Sequence, residues 1–194
     1  MATVNASNIF VGAPDQASSG AVFSAAVGST APTDAITALA GAFTSSGYVT
    51  VDGVSLSADR TVTGIRDWSG KTVRTVSDET SATVSFNLLE LSSDGAKQAF
   101  GASKVTVTAA NSTHGAQLAI TADGEMPEPK AWAFNMKDGI RKVRLYIPVG
   151  QVTDLPDMTF TAGDAINIPV TITCYPDSNG VLYQVFTDDG ITTP

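Results

Sequence analysis

Apolar and polar side chains alternate repeatedly along this sequence, and a period of two restricts those segments to β-strands with one buried face. The apolar residues at every second position are Ala82, Val84, Phe86 and Leu88; Trp132, Phe134 and Met136; Val143, Leu145, Ile147 and Val149; and Ile166, Ile168, Val170, Ile172 and Cys174. Thr and Val, 24 and 19 of the 194 residues, suit such strands because β-branched side chains pack well on pleated surfaces. Shorter strands are predicted at 48–52, 61–68, 71–78, 103–108, 116–121 and 181–187.

Turn and cap residues separate these strands. Asp138-Gly139 predicts a hairpin, Ser69-Gly70 predicts a turn, and residues 176–180 are expected to close the last hairpin. Pro169 lies inside a strand pattern and predicts an edge position, because proline has no N–H to donate. Ser92 predicts the cap of a helix running to Phe100. The fold class expected is mainly β: a β-sandwich or open barrel with one short flanking α-helix.

The first 47 residues differ from the rest in composition. They are rich in Ala, Gly, Ser and Thr, with few large apolar residues to bury. We therefore expect an N-terminal arm or draped loop at 1–47 and the β-domain at 48–194. Thr33-Asp34 predicts the cap of a short helix that runs through Leu39 and stops at Gly41.

The charge of the chain is low in density and acidic in sign. Eleven Lys and Arg against nineteen Asp and Glu give a net charge of −8, which argues against a nucleic-acid reader because such proteins present basic surface to phosphates. Residues 1–47 carry −2, residues 48–149 carry 0 and residues 150–194 carry −6. The middle of the chain is therefore a balanced body, and the excess acid lies toward the ends.

The sequence offers no convincing catalytic, cofactor or metal site. With one histidine, His114, and one cysteine, Cys174, catalytic triads and Cys- or His-based metal clusters lack their residues. Asp123, Glu125 and Glu128 match no calcium-loop spacing and are interpreted as a solvated loop. No apolar run approaches the roughly 20 residues of a membrane helix, and the first ten residues lack the pattern of a signal peptide. We expect no enzyme, no cofactor, no metal and no membrane contact, in a protein made in a reducing cytoplasm.

Three segments in order resemble a known family. They read VGSTAPTDAITAL, then GAF and SGYVTVDGV, then DRTVTGIRDWSGKTVRTVSDETSATVSFNLLELSSDGAKQAFG. Their order and spacing, clear over residues 10–101, are similar to the major tail tube proteins of long-tailed bacteriophages, especially those that infect actinobacteria. The resemblance implies a β-sandwich-like barrel beside a helix, and no catalytic residues.

The resemblance also implies a role. Family members form hexameric rings that stack head to tail into a hollow tube on a tape-measure protein, with terminator and tail-tip proteins at its ends and DNA as transiting cargo. It implies assembly in the host cytoplasm and a place in the virion tail. The hairpin around 56–80 and residues 1–47 are then expected to contact neighbouring rings, with a stacking surface of Arg60, Arg66, Trp68, Lys71 and Arg74.

The family expectation of an acidic bore suggests candidates that line it. These are Asp67, Asp78 and Glu79, although an ion-pair network with the nearby arginines is an alternative role for the same three acids. The acids of 150–194 are a second source of bore acidity.

Two other functions stay open at the sequence level. An immunoglobulin-like decoration or adhesive module would share the strands, the acidity and the lack of catalysis. A hydrolase on a β-scaffold would need a nucleophile–base pair that the sequence does not show.

Overall fold

A computed structural model of the chain describes residues 9–15 and 20–192. Within these residues it contains one α-helix, α1 (Ser93–Phe100). The strands are β1 (Ala13–Pro14), β2 (Val22–Ala26), β3 (Thr44–Ser45), β4 (Val49–Arg66), β5 (Thr72–Leu88), β6 (Val105–Thr108), β7 (Gln117–Ile120), β8 (Lys130–Asp138), β9 (Arg141–Val152), β10 (Ile168–Tyr175) and β11 (Gln184–Asp188).

Nine of the strands form one antiparallel sheet. Its order is β3-β2-β8-β9-β10-β5-β4, with β1 added to β8 and β11 added to β9, while β6 and β7 pair separately. The edge strands β3 and β4 do not pair with each other, so the barrel is open. The predicted class, mainly β and open with a single flanking helix, is confirmed.

The core lies on the face that the alternating residues predict. Ala82, Val84, Phe86 and Leu88 are buried, as are Ile168, Val170, Ile172 and Cys174 from the neighbouring strand β10. At the centre, the Phe86 ring meets those of Trp132 and Phe134 edge to face, at centroid distances of 6.1 and 5.4 Å. The Trp132 indole N–H donates to the Gly150 carbonyl at 3.1 Å, so the largest core side chain is also fixed in orientation.

The helix α1 begins and ends where the sequence predicts. The Ser92 hydroxyl accepts from the backbone N–H of Gly95 at 3.1 Å, and Gly101 ends the helix with φ of 98°. Its buried Gln98 side chain donates to the Thr44 and Ser45 carbonyls at 3.3 and 3.4 Å, and the Ser46 hydroxyl donates to Gln98 Oε1. The helix therefore fastens the edge strand β3 to the body.

Replacing this glutamine should loosen the edge. Gln98→Ala removes the acceptor of a buried Ser46 hydroxyl and leaves a cavity, so we expect the free energy of unfolding to fall by about 2–3 kcal/mol. Lys97→Ala on the same helix, a half-exposed position, should change it by less than about 0.5 kcal/mol. Urea denaturation of both variants measures the difference, and equal effects would contradict this role for Gln98.

Residues 20–47, predicted to belong to an arm, lie against the sheet in this structure. They supply β2, which pairs with β8, and β3, which pairs with β2. Apart from Val22, their buried side chains are small ones, among them Ala21, Ala25 and Ala35. Alanine allows this stretch to lie close to the sheet although it has few large apolar residues.

The helix predicted over 33–39 is wrong. The Asp34 carboxylate does accept from the backbone N–H groups of Ile36 and Thr37, at 2.8 and 2.6 Å, as a cap would. However, Arg144 Nη1 donates to the carbonyls of Asp34 and Thr37 at 2.9 Å each. An α-helix would need those carbonyls for N–H groups four residues later, and the segment is held as an irregular loop over β9 instead.

Two turn predictions and one edge prediction have different outcomes. The β8–β9 hairpin is confirmed, with Gly139 at φ of 62° in its two-residue turn. Residues 176–180 do form a turn, but the hairpin predicted there is wrong, because β11 pairs with β9 rather than with β10. Pro169 lies in the part of β10 that pairs with β5 alone, opposite Asn87, because β9 pairs with β10 only at residues 172–175. The predicted edge position is therefore confirmed for this part of the strand.

Candidate assembly surface

The most exposed part of the described chain is the outer end of the β4–β5 pair. Every residue from 57 to 81 is exposed, whereas Val54 and Leu56 just before it pack on the core. We call residues 57–81 the distal hairpin. It extends about 33 Å beyond Ala82, at 3.3 Å for each of the ten residues 72–81. An isolated two-stranded hairpin is marginally stable in water. We therefore expect the distal hairpin to be stabilised by contact with another molecule.

A tight turn presents one large side chain at the tip. The Asp67 carboxylate accepts from the Lys71 backbone N–H at 2.9 Å and from the Ser69 hydroxyl at 2.7 Å, and Gly70 adopts φ of 83°. These hydrogen bonds lower the pKa of Asp67, the Ser69 hydroxyl contributing most. Trp68 projects from this turn and is fully exposed.

The strand register separates the charges of the hairpin onto two faces. In β4 the even-numbered residues continue the face of Val54 and Leu56, so Arg60 and Arg66 lie on the core-side face. Glu79 is paired with Thr61, and the Asp78 carboxylate accepts from Thr63, which places both acids on the opposite face. Asp59 and Arg74 lie on this acidic face as well, Arg74 through its pairing with Ile65.

These charges have no ion-pair partners in the described chain. The salt bridges found within 4.0 Å all lie elsewhere, at Lys104, Lys137, Arg141 and Lys142. The hairpin acids and bases are therefore available to a neighbouring molecule. Apolar side chains lie exposed among them, namely Val62, Ile65, Val73 and Val76.

The distal hairpin also has a free edge. Within residues 9–15 and 20–192, β4 is the outermost strand of the sheet and pairs only with β5. An 18-residue edge strand with unpaired N–H and C=O groups is a template for another strand.

The eight residues singled out from the sequence all fall on this hairpin. Arg60 and Arg66 lie on β4; Asp67, Trp68 and Lys71 form the turn; Arg74, Asp78 and Glu79 lie on β5 or its bulge. The sequence alone did not predict that Arg60 and Arg66 lie on one face of the hairpin and Asp78 and Glu79 on the other. The positions of Asp78 and Arg74 depend on an extra β5 residue, Asp78, between the pairs of Thr61 and Val62, and the sequence shows no local sign of it.

The other sequence candidates have ordinary surroundings. Lys104 pairs with Asp123 and, at 3.0 Å, with Glu125, so a cation of the chain already lies between these acids. The His114 ring lies in the loop after β6, near Asn111 and the Gly115 carbonyl. Burial raises the pKa of the Cys174 thiol to about 11, which keeps it protonated and unreactive at neutral pH.

The described residues lack two further features. They contain no group of three or more His, Cys, Asp or Glu side chains placed to hold a metal ion. Among the same residues, no helix has the length and apolar character needed to cross a membrane.

Comparison with known proteins points to one family. A family model described as "Phage tail tube protein" matches residues 2–194, which is nearly the whole chain. The comparison with curated proteins gave no match.

Proposed function

This chain belongs to the phage tail tube protein family, and from that premise we propose that it assembles into hexameric rings stacked head to tail as a conduit for DNA. Family membership makes it a structural component of the virion tail, self-associating and not an enzyme. The proposal of stacked hexameric rings rests mainly on the exposure of the distal hairpin, which is exposed on both faces in the single subunit.

Elementary packing rules connect such a hairpin to a tube. A head-to-tail contact that does not close on itself generates a filament. Pairing of the free β4 edge with a neighbouring subunit would satisfy its backbone groups and close a ring. The exposed hairpin could then gain, in the assembly, the packing that it lacks alone.

The proposal gives the residues of the hairpin two tasks, and among the stacking residues Arg74 is the one that lies on the acidic face. In the proposal, the stacking contacts come from Arg60, Arg66, Trp68, Lys71 and Arg74. Asp78 and Glu79 face the bore, as does Asp67 at the turn farther along the hairpin, and residues 1–47 contact the adjacent ring. An acidic bore repels DNA within the Debye length of about 8 Å and avoids the counterion release by which basic groups hold it.

Further partners follow from the same role. A tube of defined length requires a tape-measure protein in its bore and terminator and tail-tip proteins at its ends. An immunoglobulin-like decoration module, the alternative left open by the sequence, is less well supported because the family match covers residues 2–194.

Hydrogen exchange tests the proposed assembly role of the hairpin. We expect the amides of residues 57–81 that exchange readily in the free subunit to become strongly protected in tubes, because the face of Arg60 and Arg66 and the β4 edge are covered there. Amides of the β6–β7 loop, such as those of Ser112 and Thr113, serve as an internal comparison. Equal exchange of the hairpin in free subunits and in tubes would contradict the proposal.

Charge reversal tests the proposed bore. Asp78→Lys with Glu79→Lys should leave tubes intact but slow DNA ejection roughly tenfold, because each new base in the bore binds phosphate through counterion release. Asp154→Lys with Asp157→Lys makes the same charge change in the exposed loop before β10. Ejection followed by a DNA-binding dye should be slow only for the first pair. Slow ejection by the second pair alone would place the bore acids in 150–194 instead.

A further inference from the structure

A cavity of about 370 Å³ lies between the sheet and the loop that Arg144 holds over β9. The loop contributes small and apolar residues, among them Leu39, and the strands contribute Asn135, Lys142 and Arg144. The cavity lies on the face opposite the core, because Arg144 is two residues before Tyr146 of the smaller apolar cluster. Two cationic side chains therefore line one cavity on this outer face.

The Arg144 guanidinium is a buried charge without a carboxylate partner in the described part of the chain. The residue is 4% exposed, and no salt bridge within 4.0 Å there includes it. Its acceptors are neutral oxygens, those of the Asn135 side chain at 2.7 Å and of the Asp34 and Thr37 carbonyls at 2.9 Å. Burial lowers the pKa of Arg144, although the charge of Asp34 acts in the opposite direction. Because buried charges are normally paired, this guanidinium is suited to bind an anion from outside the chain.

Two nitrogen atoms at the cavity can donate to such an anion. Nε and Nη1 of Arg144 make its three hydrogen bonds, whereas Nη2 makes none with the described residues. The Lys142 ammonium lies 3.8 Å from Asp15 Oδ2, and the other carboxylate oxygen of Asp15 is 3.0 Å from the Lys137 ammonium. Arg144 and Lys142 stand two residues apart on one face of β9, about 7 Å along the strand, so one small ion can contact both.

We propose that this cavity binds a small oxyanion, phosphate or a carboxylate, between Arg144 Nη2 and the Lys142 ammonium. An oxyanion accepts charge-assisted hydrogen bonds from both donors, and about 370 Å³ is within the size range of small-molecule sites. Binding neutralises the buried guanidinium while its other nitrogens keep the loop carbonyls, so the ion fastens the loop to the sheet. The site lies on the body of the subunit rather than on the distal hairpin, and it does not depend on assembly.

Titration of the free subunit with sodium phosphate tests this site, with amide NMR as the readout and with pH and ionic strength held constant. We expect saturable shifts at residues 35–41 and at Asn135. Lys142→Met should weaken phosphate binding at least tenfold, because one of the two charged donors is lost. Lys97→Met removes the same charge from α1 and should change the affinity less than about twofold. The same titration with sodium acetate shows whether phosphate or a carboxylate is the preferred ion.

A variant that conserves the charge separates a shaped site from a general attraction to positive surface. Arg144→Lys keeps the charge but loses Nη2 and the planar fork that holds both the loop and the ion, so phosphate affinity should again fall at least tenfold. If this variant does not fold, Lys142→Met decides, since the Lys142 side chain is 41% exposed. Full binding by either variant, or shifts that do not saturate with either anion, overturns the proposal and leaves the tube function untouched.

Discussion

A chain whose distal hairpin is shortened should fold normally and form no tubes. The variant replaces residues 60–80 by Asn-Gly, a dipeptide that closes the antiparallel pair Asp59–Ser81 through a two-residue turn. The residues removed are all exposed and none belongs to the buried core. We therefore expect the Tm to change by only a few degrees while assembly, followed by light scattering and electron microscopy, is lost.

A matched deletion tells whether this loss is specific to the hairpin. Replacing residues 109–116 by Asn-Gly shortens the β6–β7 loop at the pair Thr108–Gln117, and this variant should still form tubes. Normal tubes from the chain with the shortened hairpin would remove the assembly role from it. Loss of tubes in both variants would mean that shortening any exposed loop suffices.

The two tryptophans should give opposite results when replaced by alanine. Trp132→Ala removes the largest core side chain and its hydrogen bond to the Gly150 carbonyl, so we expect the free energy of unfolding to fall by about 3–5 kcal/mol. For a chain of this length this lowers Tm by on the order of 10 °C. Trp68→Ala removes a fully exposed side chain, so unfolding should be unchanged within about 0.5 kcal/mol while assembly is impaired.

Calorimetry and scattering on the same two preparations make this comparison direct. An unfolding free energy that falls for Trp68→Ala would show that Trp68 packs within its own subunit. Retained stability in Trp132→Ala would contradict the core described above.

The elements that the sequence predicts correctly depend on local patterns. Alternation places Val84 and Phe86 in the core, and Ser92 with Gly101 bounds the helix, because a strand face and a helix cap are determined by residues close in the chain. The resemblance to tail tube proteins likewise rests on consecutive motifs, and the family match confirms it.

The elements that the sequence predicts incorrectly depend on distant residues. Asp34 supplies a helix cap, but Arg144, 110 positions away, takes the carbonyls that the helix would need. The last strand follows a well-formed turn yet pairs with β9, because turn chemistry does not specify which strand edge lies nearby. The position of Arg74 on the acidic face depends on the bulge at Asp78, which changes the face of β5 residues 74–77.

Negative-stain electron microscopy of the purified native chain shows whether it assembles into stacked hexameric rings. At high protein concentration, the account predicts rings of six subunits and stacked tubes of uniform bore. Monomers that persist in the presence of the tail-tip proteins, which would nucleate a tube, would contradict it.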